Sequence, residues 1–91
     1  MTVWKYPLSV EASTTFVDLP KGAEILSVAT IAGSPHLWAL VDPDETELVR
    51  RSLITLGTGW KVVSDAPFGR FVGTITGVKG WMVFHVWDVA S

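Results

Sequence analysis

The sequence predicts an all-β domain, a small antiparallel β-sandwich or partly open barrel of about seven strands. Three observations lead there. Glycine or proline falls at Pro7, Pro20, Gly22, Gly33, Pro35, Pro43, Gly57, Gly59, Pro67, Gly69, Gly73, Gly77 and Gly80. The uninterrupted segments are therefore about 6–12 residues long, which suits strands and is short for helices. The segments are rich in Val, Ile, Thr and aromatic residues, which pack well on a pleated surface. Turn signals recur about every 8–12 residues, the spacing of sandwiches and small barrels.

The elements follow in order. "TVWKYPL" (2–8) sets Trp4, Tyr6 and Leu8 against Val3, Lys5 and Pro7. Pro7 cannot donate to a ladder, so this segment reads as an edge strand or a strand end. "TTFVDL" (14–19) stops at the turn Pro20-Lys21-Gly22. "AEILSVATIA" (23–32) and "PHLWALVD" (35–42) flank Gly33-Ser34 and read as a tight hairpin. "LWALV" is apolar on both faces, as in a central strand. "DPDETE" (42–47) fits a capped helix start or an exposed turn with Pro at its second position. The next residues, "LVRRSLITL", lack a helical apolar stripe, so turn then strand is preferred. "GWKVV" (59–63) reads as a short strand and "DAPFG" (65–69) as a loop. "RFVGTIT" (70–76) and "GWMVFHVWDV" (80–89) form a hairpin, with the glycines of "GVKG" supplying positive φ. The expected core is Leu26, Val28, Leu37, Ala39, Val41, Ile54, Val72, Ile75, Val83 and Phe84.

Composition narrows the function. The 91 residues form one domain, 1–91, and hydrophobic residues make up 48% of them. So short a chain buries only about 60–65% of its unfolded surface, so its stability is modest. Five tryptophans are dense. A few buried rings, each removing roughly 150–250 Å² from water, can build its core. Surplus rings must lie on the surface, where they favour self-association or a partner. There is no cysteine, hence no disulfide, thiolate chemistry or cysteine metal site. A net charge of −2 gives no broad electrostatic reason to bind nucleic acid. No run of 18 apolar residues offers a membrane span, and "MTVWKYPLSV" is no secretory signal. The expected setting is intracellular, with neither nucleic acid nor membrane as partner.

Chemistry has few places to reside. His36 and His85 are the two histidines, without zinc-site spacing. Strand alternation puts Trp81, Val83, His85 and Trp87 on one face and Met82, Phe84, Val86 and Asp88 on the other. His85 then reads as a half-buried strand residue with one ring nitrogen bonded to the backbone. No G-x-S-x-G elbow occurs. The carboxylates Asp42, Asp44, Glu45 and Glu47 share an exposed turn that has no glycine for a calcium loop. We expect no catalytic residue, metal or cofactor. "GTGWK", Gly57, Thr58, Gly59, Trp60 and Lys61, is the candidate ligand-binding segment. Its amides can face an anion, and Trp60 can stack on a base. A turn between strands explains the same glycines. Arg50 and Arg51 should point to opposite faces.

The order "WKYPL", "LPKGAEILSV", "LWALVDP", "GTG", "FVGTI" and "WMVFHVWD" resembles a family of small proteins. They are encoded by tailed bacteriophages, including those of actinobacteria, and by prophage regions. The resemblance runs from Trp4 to Asp88 and rests most on "LPKGAEILSV" and "LWALVDP". The family is one of unknown function, so the resemblance implies a phage setting and carries over no catalytic residues, none being established. After the second glycine of "GTG" the family more often has His where this chain has Trp60. We expect a non-enzymatic phage accessory protein of the host cytoplasm that binds a host or phage protein. Trp4, Arg51, Trp60 and Trp87 are the candidate contacts. Alternatives are a binder of nucleotide-like small molecules and a minor virion component. Surplus tryptophans and sheet edges in need of cover predict a homo-oligomer, most simply a dimer.

Overall fold

The computed structural model describes residues 1–62 and 69–89. Seven strands follow one another: β1 (Thr2–Pro7), β2 (Thr14–Pro20), β3 (Glu24–Ile31), β4 (Ser34–Val41), β5 (Leu48–Gly57), β6 (Arg70–Val78) and β7 (Met82–Asp88). They form a three-stranded sheet, β1-β4-β3, and a four-stranded sheet, β2-β5-β7-β6. Every pairing is antiparallel. The sheets face each other without closing into a barrel. β1 is an edge strand and β4 the centre of its sheet, as Pro7 and the apolar run "LWALV" predict.

The core lies between the sheets and follows strand parity. Leu37, Ala39 and Val41 point inward from β4, Leu53 and Thr55 from β5, and Phe84, Val86 and Asp88 from β7. Fully burying one such Leu, Val or Phe side chain is worth roughly 1.5–3 kcal/mol. Leu8, Leu19, Ala23, Ile25, Val28, Ile75 and Val78 complete the cluster, and Val72 packs against it half-buried. Three expected core residues lie elsewhere. Ile54 and Val83 take the opposite parity from Leu53 and Phe84 and are half-buried on the outer face. Leu26 is exposed because β3 carries a bulge: Ile25 pairs with Ala39 and Ser27 with Trp38, so Leu26 is the extra residue. The bulge moves the inward positions to Ile25 and Val28, three apart where regular alternation requires two.

The turns differ from expectation at two points. The β3–β4 hairpin turns on Ala32 and Gly33, with φ of 48° and 82°, one residue before the expected Gly33-Ser34. Two consecutive left-handed residues make the mirror-image turn that matches strand twist. The segment 60–62 is not a strand. The chain turns at Gly57–Trp60, where Gly59 adopts φ 87° and the Trp60 amide donates to the Gly57 carbonyl at 3.0 Å. Residues 63 and 65–68, parts of "GWKVV" and "DAPFG", lie outside the described residues. The acidic segment is a turn as expected. Asp42 accepts from the Asp44 amide at 3.0 Å through its side chain and from the Glu45 amide at 3.1 Å through its carbonyl.

At one side the two sheets meet edge to edge, β3 beside β6. The Thr30 hydroxyl donates to the Thr76 carbonyl, and Arg70 Nη2 donates to the Ile25 carbonyl. Gly73 keeps the approach close, since a Cβ there would stand 3.3 Å from Val28 Cγ2. Arg51 points inward from β5. It donates 2.8 Å bonds to the Ala23 carbonyl and to Asp88 Oδ2. Arg70 Nη2 lies 3.7 Å from the same oxygen. The Arg51 and Asp88 side chains are only 18% and 11% exposed.

Removing one partner from such a pair strands the other charge in a poorly solvated site. Asp88→Ala should therefore cost about 3 kcal/mol, read as a lower midpoint in denaturant unfolding. Asp18→Ala, which frees only the exposed partner of Arg50, should cost less than about 1 kcal/mol. Tyr6 is the one tyrosine, and burial pushes its phenol above the ordinary value. The unfolded chain then loses this proton first. The Tyr6 contribution is intact below about pH 10 and fades as pH rises towards the folded pKa. An alkaline absorbance titration should find a midpoint above that of free tyrosine, accompanied by falling stability.

Candidate interaction site

The outer face of the four-stranded sheet carries an aromatic row. Register places Thr14 opposite Ile54, Ile54 opposite Trp87, and Trp87 opposite Phe71. One line of side chains thus crosses β2, β5, β7 and β6. Cross-strand neighbours on one face stand close enough to pack. Phe71 and Trp87 do so edge to face, with centroids 5.3 Å apart. Phe71 and Phe16 are both more than half exposed. Arg50 lies over the Phe16 ring at 5.7 Å and pairs with Asp18 at 3.4 Å. An apolar centre with a charged border is the anatomy of an interaction surface.

The next row holds Leu56, His85 and Thr74. His85 is half-buried, as expected, but its partners are hydroxyls where a backbone group was expected. The Thr58 oxygen lies 2.8 Å from Nε2 and the Thr74 oxygen 3.1 Å from Nδ1. A neutral imidazole has one donor and one acceptor nitrogen, and a hydroxyl answers either. The two threonines therefore hold the ring whichever tautomer is present, and His85 ties the Gly57–Trp60 turn to β6.

The structure separates the other candidate contacts. Trp4 lies on β1 at the open edge, 41% exposed. Arg51 is mostly withdrawn into the clamp with Asp88 and offers little surface. Trp60 sits at the loop end of the sandwich, edge-on to Phe84 at 5.6 Å, and folds over Gly57. A Cβ on Gly57 would meet the indole at 2.6 Å. Two clefts of about 480 and 470 Å³ flank Trp60. Gly57, Thr58, Trp60 and Trp81 border the second. The Thr58 and Trp60 amides are already bonded to the Val83 and Gly57 carbonyls, so those two do not turn toward an anion. Lys61 is exposed. Trp81, absent from the expected contacts, is 79% exposed. Its place in the tight β6–β7 turn, after Gly80, was the available signal.

Among the described residues, no group of His, Asp or Glu side chains gathers in the number needed to hold a metal ion, and no helix is long and apolar enough to cross a membrane. Fold and surface together define a two-sheet antiparallel β domain that displays aromatic side chains on one sheet face and at one end. The chain belongs to the DUF7352 family, a domain of unknown function, whose model matches residues 1–91. No curated protein and no solved structure matches it significantly.

Gly57→Ala should dislodge Trp60 from Phe84. The expected result is altered tryptophan emission and a loss of about 1–3 kcal/mol. In a Trp60→Ala background the same change should cost almost nothing, because the clash has gone.

Proposed function

We propose that this chain is a non-enzymatic phage accessory protein that works in the host cytoplasm by binding a host or phage protein. The binding surface is the outer face of the four-stranded sheet, with Trp87 and Phe71 at its centre. The observation behind this reading is the row Thr14–Ile54–Trp87–Phe71, which runs across all four strands. A fold needs side chains on the inner face of a sheet. It does not need an aromatic pair on the outer one, where antiparallel sheets are commonly polar. Contiguous apolar surface with a polar border marks a contact site, and tryptophan is enriched among residues that dominate binding energy. The polar groups beside the row support the same reading. His85, Thr58 and Thr74 hold one another, and Arg50 and Asp18 form the opposite border. The phage setting rests on the sequence resemblance.

Affinity capture from host lysate, taken through infection, tests the proposal. The wild-type chain should retain a protein that Trp87→Ala and Phe71→Ala each release. A central contact is expected to weaken binding by about 2 kcal/mol or more, roughly 30-fold. Lys5→Ala, on the other sheet, should bind normally. Recovery of no partner, or capture indifferent to Trp87 and Phe71, would defeat the reading.

A further inference from the structure

Two features at the loop end of the sandwich are unexplained by the fold. Trp81 is the most exposed large apolar side chain among the described residues, at 79%. Beside it lies the cleft of about 480 Å³, walled by Leu8, Val10, Pro35, Trp60, Met82 and Phe84. The volume accommodates an indole ring, yet Trp81 does not line this cleft. It borders the neighbouring cleft instead. An uncovered ring and an uncovered apolar hollow thus stand side by side on one molecule.

The rim supplies the second observation. Glu11 and Lys79 both border the cleft, and neither is in an ion pair among the described residues. Lys79 also holds a left-handed backbone, φ 51°, which is uncommon for a residue with a side chain. A two-fold interface brings the same patch together on both copies: if residue i meets j of the other copy, j meets i. A rim of one sign would repel its own copy. A rim with one acid and one base is complementary to itself.

We infer that the loop end is a two-fold interface between copies of this chain. Each copy inserts Trp81 into the cleft of the other, and Glu11 of each meets Lys79 of the other. A standard interface takes about 800 Å² from each partner, about a seventh of the 5564 Å² this chain exposes. The cleft is complete only when the second copy fills it. The aromatic row on the four-stranded sheet is a different surface, so the inference stands or falls apart from the proposed function.

Sedimentation velocity and native mass spectrometry of the full chain provide the test. The expected species is a dimer, and Trp81→Ala should raise its dissociation constant about 30-fold or more. Trp81 is too exposed to be needed for folding, and thermal unfolding of the dilute variant checks that. Glu11→Lys and Lys79→Glu should each abolish self-association, because each sets like charges at both contacts. Mixed together, the two variants should recover a dimer near the wild-type strength, since every contact is then between opposite charges. Trp87→Ala should leave the dimer unchanged. Three results would overturn the inference: a monomer at all accessible concentrations, a dimer indifferent to Trp81→Ala, or two charge variants that fail to associate when mixed. A monomer that retains a small molecule until denatured would also overturn it, and would make the cleft a ligand site.

Discussion

The inward pair Arg51–Asp88 is the contact on which the arrangement of the two sheets depends. Sandwich layers held by apolar packing alone can slide, because burial is nearly proportional to area and indifferent to direction. Hydrogen bonds to charged groups have direction. Arg51 reaches from β5 to the Ala23 carbonyl just before β3, while its other nitrogen holds Asp88 at the end of β7. Arg70, at the start of β6, reaches the Ile25 carbonyl and the same carboxylate. Two strands of one sheet thereby grip the beginning of β3, and Asp88 of a third strand holds both arginines. This fixes β3 beside β6 and lets Val28 settle against Gly73. Such a pair need not add net stability over an apolar replacement. Its bonds have direction, and with that of Arg70 they tie the start of β3 to one position on the other sheet. Among the described residues, Asp88 Oδ1 is buried without a hydrogen-bond partner, while Oδ2 carries the contacts to both arginines.

Much of the fold is legible in the residues because strand parity is rigid. In "WMVFHVW" the side chains must alternate. Once Phe84 is inside, Val86 and Asp88 follow, and Val83, His85 and Trp87 lie outside. Naming both Val83 and Phe84 as core residues therefore cannot be right. Parity also gives Leu37, Ala39 and Val41 together. It fails at β3 for a local reason. A bulge at Leu26 costs one position in the ladder, and nothing in "EILSV" marks it, since Ile25 and Leu26 are equally apolar. The inward-facing Arg51 follows parity instead. "VRRS" offers two arginines of opposite parity, and Arg51 is the one that shares the inward parity of Leu53 and Thr55 and so meets Asp88. "GWKVV" has strand composition, but the left-handed Gly59 and the stacking of Trp60 over Gly57 turn the chain away from the sheet.

The surface is less legible than the core. Composition states that five tryptophans exceed the needs of a 91-residue interior, without saying which are in excess. The structure distributes them by topology. Trp38 and Trp87 lie half-buried on outer faces, Trp4 at an open edge, Trp60 over a glycine, and Trp81 on a turn. The aromatic row exists only because four strands, far apart in sequence, align Ile54, Trp87 and Phe71 in register. The β6 bulge between Phe71 and Gly73 also brings Phe71 out beside Trp87 while Gly73 faces in. Spacing along the chain does not encode that meeting.

The two surfaces constrain each other. A dimer joined at the loop end hides Trp81 and the cleft beside Trp60 but leaves the outer faces of both four-stranded sheets open. Each assembly then presents two copies of the aromatic row at a fixed separation. A partner that is itself repeated would meet the second row at high effective concentration once the first is engaged, so that modest individual contacts sum to firm attachment. A single-copy partner would gain nothing from the pairing. On the proposed dimer, self-association at the sandwich end would favour partners displayed in arrays over free monomeric ones, because the interface between copies would set the separation of the two rows.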